Sequence, residues 1–224
     1  MSESGYVIER VVSAPFEEVS YIVWRRGRGD ALVVDPGFDP EAILAVLTRN
    51  RLRLAAVLNT HGHADHIAGN ASMKLSAPDA PLVIGRNEAF LLTDSTANMS
   101  APFGQPLTSP PADRLVDDGE QIEYAGFRFE VREIPGHSPG SVVFVCSEWT
   151  PSFVLGGDVL FAGSVGRTDL GGDGPRLASG IRAKLFTLPD DTIVYPGHGP
   201  ETTIEAEKRT NPFVGERAGM YRID

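Results

Sequence analysis

Apolar positions in this chain come mostly in short unbroken runs rather than at helical spacing. Residues 7–12, 19–24 and 31–34 are rich in valine and isoleucine and are separated by turn-forming residues, the pattern of successive strands. Arg25-Arg26-Gly27-Arg28-Gly29-Asp30 reads as the turn before the third run, with its three arginines in solvent. That third run stops at Asp35-Pro36-Gly37, where an aspartate before a tight turn is an ordinary turn residue. Helical spacing begins after Asp39 and Pro40, which suit an N-cap and a first helical position, with Ile43, Leu44 and Leu47 on one face. Residues 52–58 return to a continuous apolar run and predict a buried strand, followed by a helix start near Ala64 or Asp65. A short strand over 81–84 and a short helix over 87–92 complete this half.

Residues 94–118 break the rhythm. They carry Pro102, Pro106, Pro110 and Pro111 with little periodicity, and a loop this long is either a binding loop or a surface connector. Beyond it, residues 121–123 and 127–134 predict a hairpin turning at Ala125-Gly126, and 142–146, 153–155 and 193–195 predict further buried strands. Strands first, then helix and strand in alternation, predict a mixed sheet with helices packed outside.

Composition narrows the classes. A hydrophobic share of 42% and a charged share of 22% are ordinary for a soluble globular protein. A net charge of −10 speaks against a nucleic-acid surface, which needs a basic footprint. The single cysteine, Cys146, has no partner for an internal disulfide and sits in an apolar run, so core packing is its expected role. Met1-Ser2-Glu3-Ser4-Gly5 lacks the basic-then-apolar pattern of a leader, and no run approaches the roughly 20 apolar residues that span a bilayer. A cytoplasmic protein with no membrane or nucleic-acid partner is expected.

Chemistry concentrates in Asn59-Thr60-His61-Gly62-His63-Ala64-Asp65-His66, which follows the strand over 52–58. Three of the five histidines lie here, beside a carboxylate. Neutral imidazole and carboxylate are preferred ligands of zinc and similar ions, so His61, His63, Asp65 and His66 are candidate ligands. In an extended segment His61 and His63 point the same way, while a helix starting near Ala64 turns Asp65 and His66 off that axis. One ion does not comfortably take all four at ordinary bond lengths of ~2.0–2.2 Å, whereas two neighbouring ions would. The other two histidines, His137 and His198, also stand at strand ends, in Pro-Gly-His segments, and Asp158 ends a strand at Gly156-Gly157-Asp158.

The HxHxDH cluster and these later strand ends resemble the metallo-β-lactamase superfamily, from about Val33 to Phe213. The resemblance implies an α/β (α+β) fold, a four-layer αββα sandwich of two similar halves. It implies a single domain over residues 1–224 with the metal site at one edge of the two sheets. It assigns His61, His63 and His137 to one divalent ion, Asp65, His66 and His198 to a second, and Asp158 to both. It gives Asp65 and Asp158 catalytic roles and has Asp35 support the ligands from behind. Zinc is the expected metal, with iron or manganese as alternatives. Two such ions would lower the pKa of a shared water and polarise a substrate carbonyl, so no serine or cysteine nucleophile is expected.

Within that superfamily, residues 158–169 and 195–202 resemble the glyoxalase II branch. Residues 207–213 are similar to its compact bacterial members, which lack the added C-terminal helical domain. The resemblance implies hydrolysis of a small-molecule thioester of the S-lactoylglutathione type, with Arg167 contacting the thiol carrier. A salt bridge to Asp169 is the alternative role for Arg167. The chain departs from glyoxalase II proper at Gly199-Pro200 and at Asp169, where that enzyme has tyrosines. Two other readings share these residues. One is a persulfide dioxygenase holding a single iron on His61, His137 and Asp158, and the other is a metal-binding protein without turnover.

Overall fold

A computed structural model describes residues 5–216 and 218; the start read as leader-free, residues 1–4, lies outside them, as do 217 and 219–224. The first half of the chain builds one sheet. Its strands are β1 (Tyr6–Ser13), β2 (Glu18–Arg25), β3 (Asp30–Val34), β4 (Arg53–Asn59), β5 (Leu82–Gly85) and β6 (Arg114–Val116), adjacent in that order. β1, β2 and β3 pair antiparallel, and β3 to β6 run parallel. A parallel neighbour needs a crossover, supplied between β3 and β4 by helix α1 (Pro40–Arg49). Asp39 caps that helix by accepting the Ala42 N–H at 3.3 Å, with Pro40 in its first turn. Its buried face is Ile43, Val46 and Leu47, while Leu44 is only half-buried. After β4 come the short helices α2 (Ala64–Ile67) and α3 (Asn70–Ser76), and a 3-10 helix at Arg86–Leu92 follows β5.

The second half repeats the plan. β7 (Gln121–Tyr124), β8 (Phe127–Glu133), β9 (Val142–Cys146) and β10 (Phe153–Gly157) pair antiparallel. The small hairpin β11 (Leu160–Phe161) and β12 (Ser164–Val165) then leads into helix α4 (Gly174–Lys184). That helix crosses to β13 (Ile193–Pro196), parallel to β10, before β14 (Thr202–Thr203) and helix α5 (Ile204–Thr210). The second sheet has the order β14-β13-β10-β9-β8-β7.

Three apolar cores define the layers. Phe127, Phe129, Phe144, Phe153, Leu32 and Leu58 fill the space between the sheets. Ile43, Leu47 and Met73 pack α1 and α3 on the outer face of the first sheet, and Leu177, Ile181 and Ile204 pack α4 and α5 on the outer face of the second. The result is the αββα sandwich expected above. Cys146 lies fully buried in the inter-sheet core.

Three local expectations change. Residues 94–118 end in strand β6, whose backbone pairs with β5, so the expected loop is shorter than its sequence suggests. Helix α4 was not anticipated, although Asp173 caps it at Arg176 N and Leu177, Ile181 and Leu185 repeat every fourth residue. Arg25 is not in solvent: it donates to the Gly126 carbonyl at 2.8 Å and lies 5.2 Å from the centre of the Trp149 ring.

Candidate metal centre

Every predicted ligand sits just past the C-terminal end of a strand or in the first turn after it, where both sheets meet at one edge. β4 delivers His61 and His63, α2 turns Asp65 and His66 away from them, β8 leads to His137, β10 to Asp158, and β13 to His198. The structure brings all seven together. Ligand atoms of His61, His63 and His137 lie within 4.8 Å of one another, and so do those of Asp65, His66 and His198. Asp158 stands between the two trios. Its Oδ1 is 3.4 Å from His66 Nε2, and its Oδ2 is 3.5 Å from both His137 Nε2 and His198 Nε2. This approach requires glycine at 197, because a Cβ there would collide with Asp158 Oδ1 and stand 2.6 Å from His66 Cε1.

Hydrogen bonds behind the ligands fix which ring nitrogen faces inward. His137 Nδ1 donates to the Arg167 carbonyl at 2.8 Å, leaving the Nε2 lone pair for the site. Thr60 Oγ1 gives its proton to Asp35 Oδ2 at 2.6 Å and so accepts from His61 Nδ1 at 3.1 Å. His66 Nδ1 meets the same Asp35 oxygen at 3.1 Å. Asp35 therefore holds two of the candidate ligands, His66 directly and His61 through Thr60. It does so from a left-handed backbone position, φ 48°, that also accepts the Thr60 N–H at 2.7 Å.

These tautomers make the donor set fit a cation. His61 Nε2 and His137 Nε2 face each other at 3.3 Å, both with lone pairs and neither with a proton to share. His66 Nε2 and Asp158 Oδ1 are buried facing each other at 3.4 Å, and neither has any other hydrogen-bond partner. Buried polar atoms are rarely left so, and divalent ions at the two trios would satisfy all of them. The side chains alone set opposite tendencies on the two fully buried rings. Burial and the neighbouring imidazoles push His61 well below the usual histidine value. Burial acts the same way on His66, but Asp158 and Asp65 override it and hold that ring well above. Burial would raise Asp158, yet His66, His137 and His198 keep it ionised.

Glu88 belongs to this site and nothing in the sequence marked it. The side chain is fully buried on the 3-10 helix. It accepts from Gly62 N at 2.9 Å, Ser138 Oγ at 2.7 Å and Gly140 N at 2.6 Å. One carboxylate thus ties the loop of His61 and His63 to the loop of His137. Glu18 is the second hidden carboxylate. It accepts from Ser13 Oγ at 2.8 Å, and its backbone bridges to that of His198.

The centre opens into a cleft of two lobes, each about 410 Å³, which share His63, Met99, His137 and Leu170. Phe16, Phe103 and Phe161 line one lobe, and Phe90, Leu91 and Arg176 the other. Ala97, Asn98, Met99 and Phe103 come from the long loop, so its first part is a binding-loop wall rather than a plain connector. Arg167 also lines the aromatic lobe, but its Nε and Nη2 are both held by Asp169 at 2.8 Å.

The sequence matches the metallo-β-lactamase superfamily over residues 14–198. The chain belongs to that superfamily. Its metal-binding His and Asp clusters sit where a metallo-hydrolase of that superfamily needs them. It is 37% identical over 215 residues to the hydroxyacylglutathione hydrolase GloC of Haemophilus influenzae, covering 94% of this chain and 99% of the relative. Among solved structures it is similar to BLEG-1, a B3 metallo-β-lactamase, with a TM-score of 0.88 and 36% identity over 93% of this chain and 99% of that one. TTHA1623 in a di-iron-bound form gives a TM-score of 0.80 and 35% identity over 92% and 99% of the two chains. Among the described residues no helix is long and apolar enough to cross a membrane.

Proposed function

We propose that this protein is a dinuclear thioester hydrolase acting on small-molecule substrates of the hydroxyacylglutathione type. The observation that carries the reading is the carboxylate of Asp158, whose two oxygens face ligands of both trios. A single-iron triad of His61, His137 and Asp158 gives Asp65, His66 and His198 no task, whereas two ions use every donor. The likeness to GloC supports the substrate class.

Divalent ions held here would supply Lewis-acid activation of water and of the thioester carbonyl, with zinc the first candidate and iron or manganese next. The chain does the rest. Asp35, Thr60 and the Arg167 carbonyl hold the imidazoles in the tautomers that present Nε2. Asp65, kept ionised against its burial by His66 and His198, stands 3.4 Å from His198 Nε2, so both present donor atoms to the same space. A thiolate leaves with little need of protonation, so the site requires no separate general acid. Cys146 is sealed in the core, and Ser138 is held by Glu88 and Ser141, which leaves neither as a nucleophile. A protein of charge −10 suits neither a nucleic-acid substrate nor an anionic membrane surface.

The test is thiol release from S-lactoylglutathione, run beside metal content per chain on protein purified without added metal. About two metals per chain with thiol release is the expected result. One iron, no thioester cleavage and oxygen uptake with glutathione persulfide would replace this reading with the dioxygenase.

A further inference from the structure

An acidic protein whose field repels a carboxylate-bearing substrate needs a cation at that carboxylate, a place the metal centre does not serve when it faces the thioester carbonyl. The cleft offers two besides its histidines, Arg167 and Arg176. They are not equivalent. Arg167 is clamped by Asp169 through two parallel bonds of 2.8 Å, the bidentate geometry a substrate carboxylate would itself require. Arg176 has only its backbone N–H engaged, by the Asp173 cap at 2.9 Å. Among the described residues, every lysine is ion-paired. The only described arginines whose side chains have neither hydrogen bond nor ion pair are Arg51, at the far end of α1, and Arg176.

We infer that the lobe beneath α4 receives the thiol carrier of the substrate and that Arg176 binds a carboxylate of that carrier. The lobe carries Phe90, Leu91 and Met99 for the carrier's apolar atoms and a free guanidinium for its charge. It meets the aromatic lobe at His63 and His137, so a thioester spanning both lobes places its carbonyl at the metal centre. The acyl group then falls among Phe16, Phe103 and Phe161. Arg176 is a specificity residue in this scheme, distant from the bond that breaks. The inference takes its ligand class from the thioester reading above, and the experiment separates the two.

The experiment measures calorimetric binding of two non-hydrolysable thioethers to the metal-loaded protein. S-hexylglutathione carries carboxylates, and S-hexyl-N-acetylcysteamine carries none. Arg176→Gln is expected to weaken the first by roughly three- to tenfold and leave the second unchanged, with partial recovery in Arg176→Lys. Arg167→Gln is expected to change neither by more than about twofold, since its charge is already neutralised by Asp169. Equal affinity of wild type and Arg176→Gln for S-hexylglutathione would overturn the inference, as would an equal loss for both ligands or no binding by wild type. Arg176-dependent binding in a protein that cleaves no thioester would remove the hydrolase reading and leave the carboxylate site standing.

Discussion

Glu88 accepts the backbone N–H of Gly62 at 2.9 Å, so a buried carboxylate grips the chain midway between two candidate metal ligands, His61 and His63. Its other oxygen holds Ser138 and Gly140 beside the third candidate of that trio, His137. Glu88→Gln leaves one acceptor oxygen where two are used and brings an NH2 group against N–H or O–H donors. The expected cost is about 1–3 kcal/mol in urea unfolding, together with weaker metal retention at the His61, His63 and His137 trio. Wild-type stability and metal content in this variant would show that the two loops hold themselves.

The same residue sets a pH dependence. Burial raises the Glu88 pKa above 4.5, against the pull of its three hydrogen bonds. The folded chain therefore binds the proton more tightly than the unfolded chain does. Stability from this group is greatest below the unfolded value and falls as pH rises through the folded one. The difference in unfolding free energy between wild type and Glu88→Gln is expected to shrink as pH climbs from about 4.5 through that window. A difference that is flat or grows with pH would contradict it.

The candidate ligand cluster was legible in the sequence because all five histidines, a rare residue type here, stand at the ends of apolar runs, where a histidine has little other use. The valine-rich runs made a mixed sheet with helices outside legible, while the four-layer sandwich followed from the resemblance that the ligand segments carry. Glu88 and Glu18 were not legible. A glutamate on a short helix or at a strand start reads as a solvent-facing charge, and only tertiary packing reveals the three donors around Glu88 or the serines around Glu18. Helix α4 did carry a signal, the Asp173-Gly174-Pro175 cap followed by Leu177, Ile181 and Leu185. Glycines on both sides of that cap dilute it. Arg25 shows the converse limit, since its Gly126 and Trp149 partners lie about a hundred residues away in the chain.

Asp35→Asn is expected to act on the metals without touching them. An amide supplies one acceptor oxygen, while the carboxylate serves Thr60 N, Thr60 Oγ1 and His66 Nδ1 together. With the NH2 group in place of Oδ1 the Thr60 N–H faces it; with the NH2 group in place of Oδ2 both Thr60 Oγ1 and His66 Nδ1 do, and the imidazoles of His61 and His66 are freed to take the wrong tautomer. Losses of about 10–100-fold in metal affinity are typical when such a partner goes. Competition against a chromophoric chelator measures this, and unchanged affinity would show that the tautomers are set elsewhere.

Asp158→Ala removes the group both trios share, so activity and metal content are expected to fall together. The drop in kcat/KM should exceed about a hundredfold, more than a supporting residue typically costs. Full activity in this variant would rule out the shared carboxylate and, with it, the single-iron scheme on His61, His137 and Asp158.

Metal removal should also loosen the fold. The hydrogen bonds at Nδ1 leave His61 Nε2 and His137 Nε2 facing each other at 3.3 Å with two lone pairs. Protonating His61 would relieve the contact, but burial and the surrounding rings push its pKa well down, which disfavours that route. His66 Nε2 is left with only the Asp158 carboxylate, at 3.4 Å, in the interior. Bound ions stabilise the native state in proportion to the logarithm of their excess over Kd, about 4 kcal/mol at a thousandfold excess. Chelator-treated protein is therefore expected to melt several degrees below the untreated protein and to recover on adding metal back. Melting curves that coincide while activity is lost would mean that the imidazoles relax apart without the ion, and that the loops behind them are softer than Glu88 and Asp35 make them.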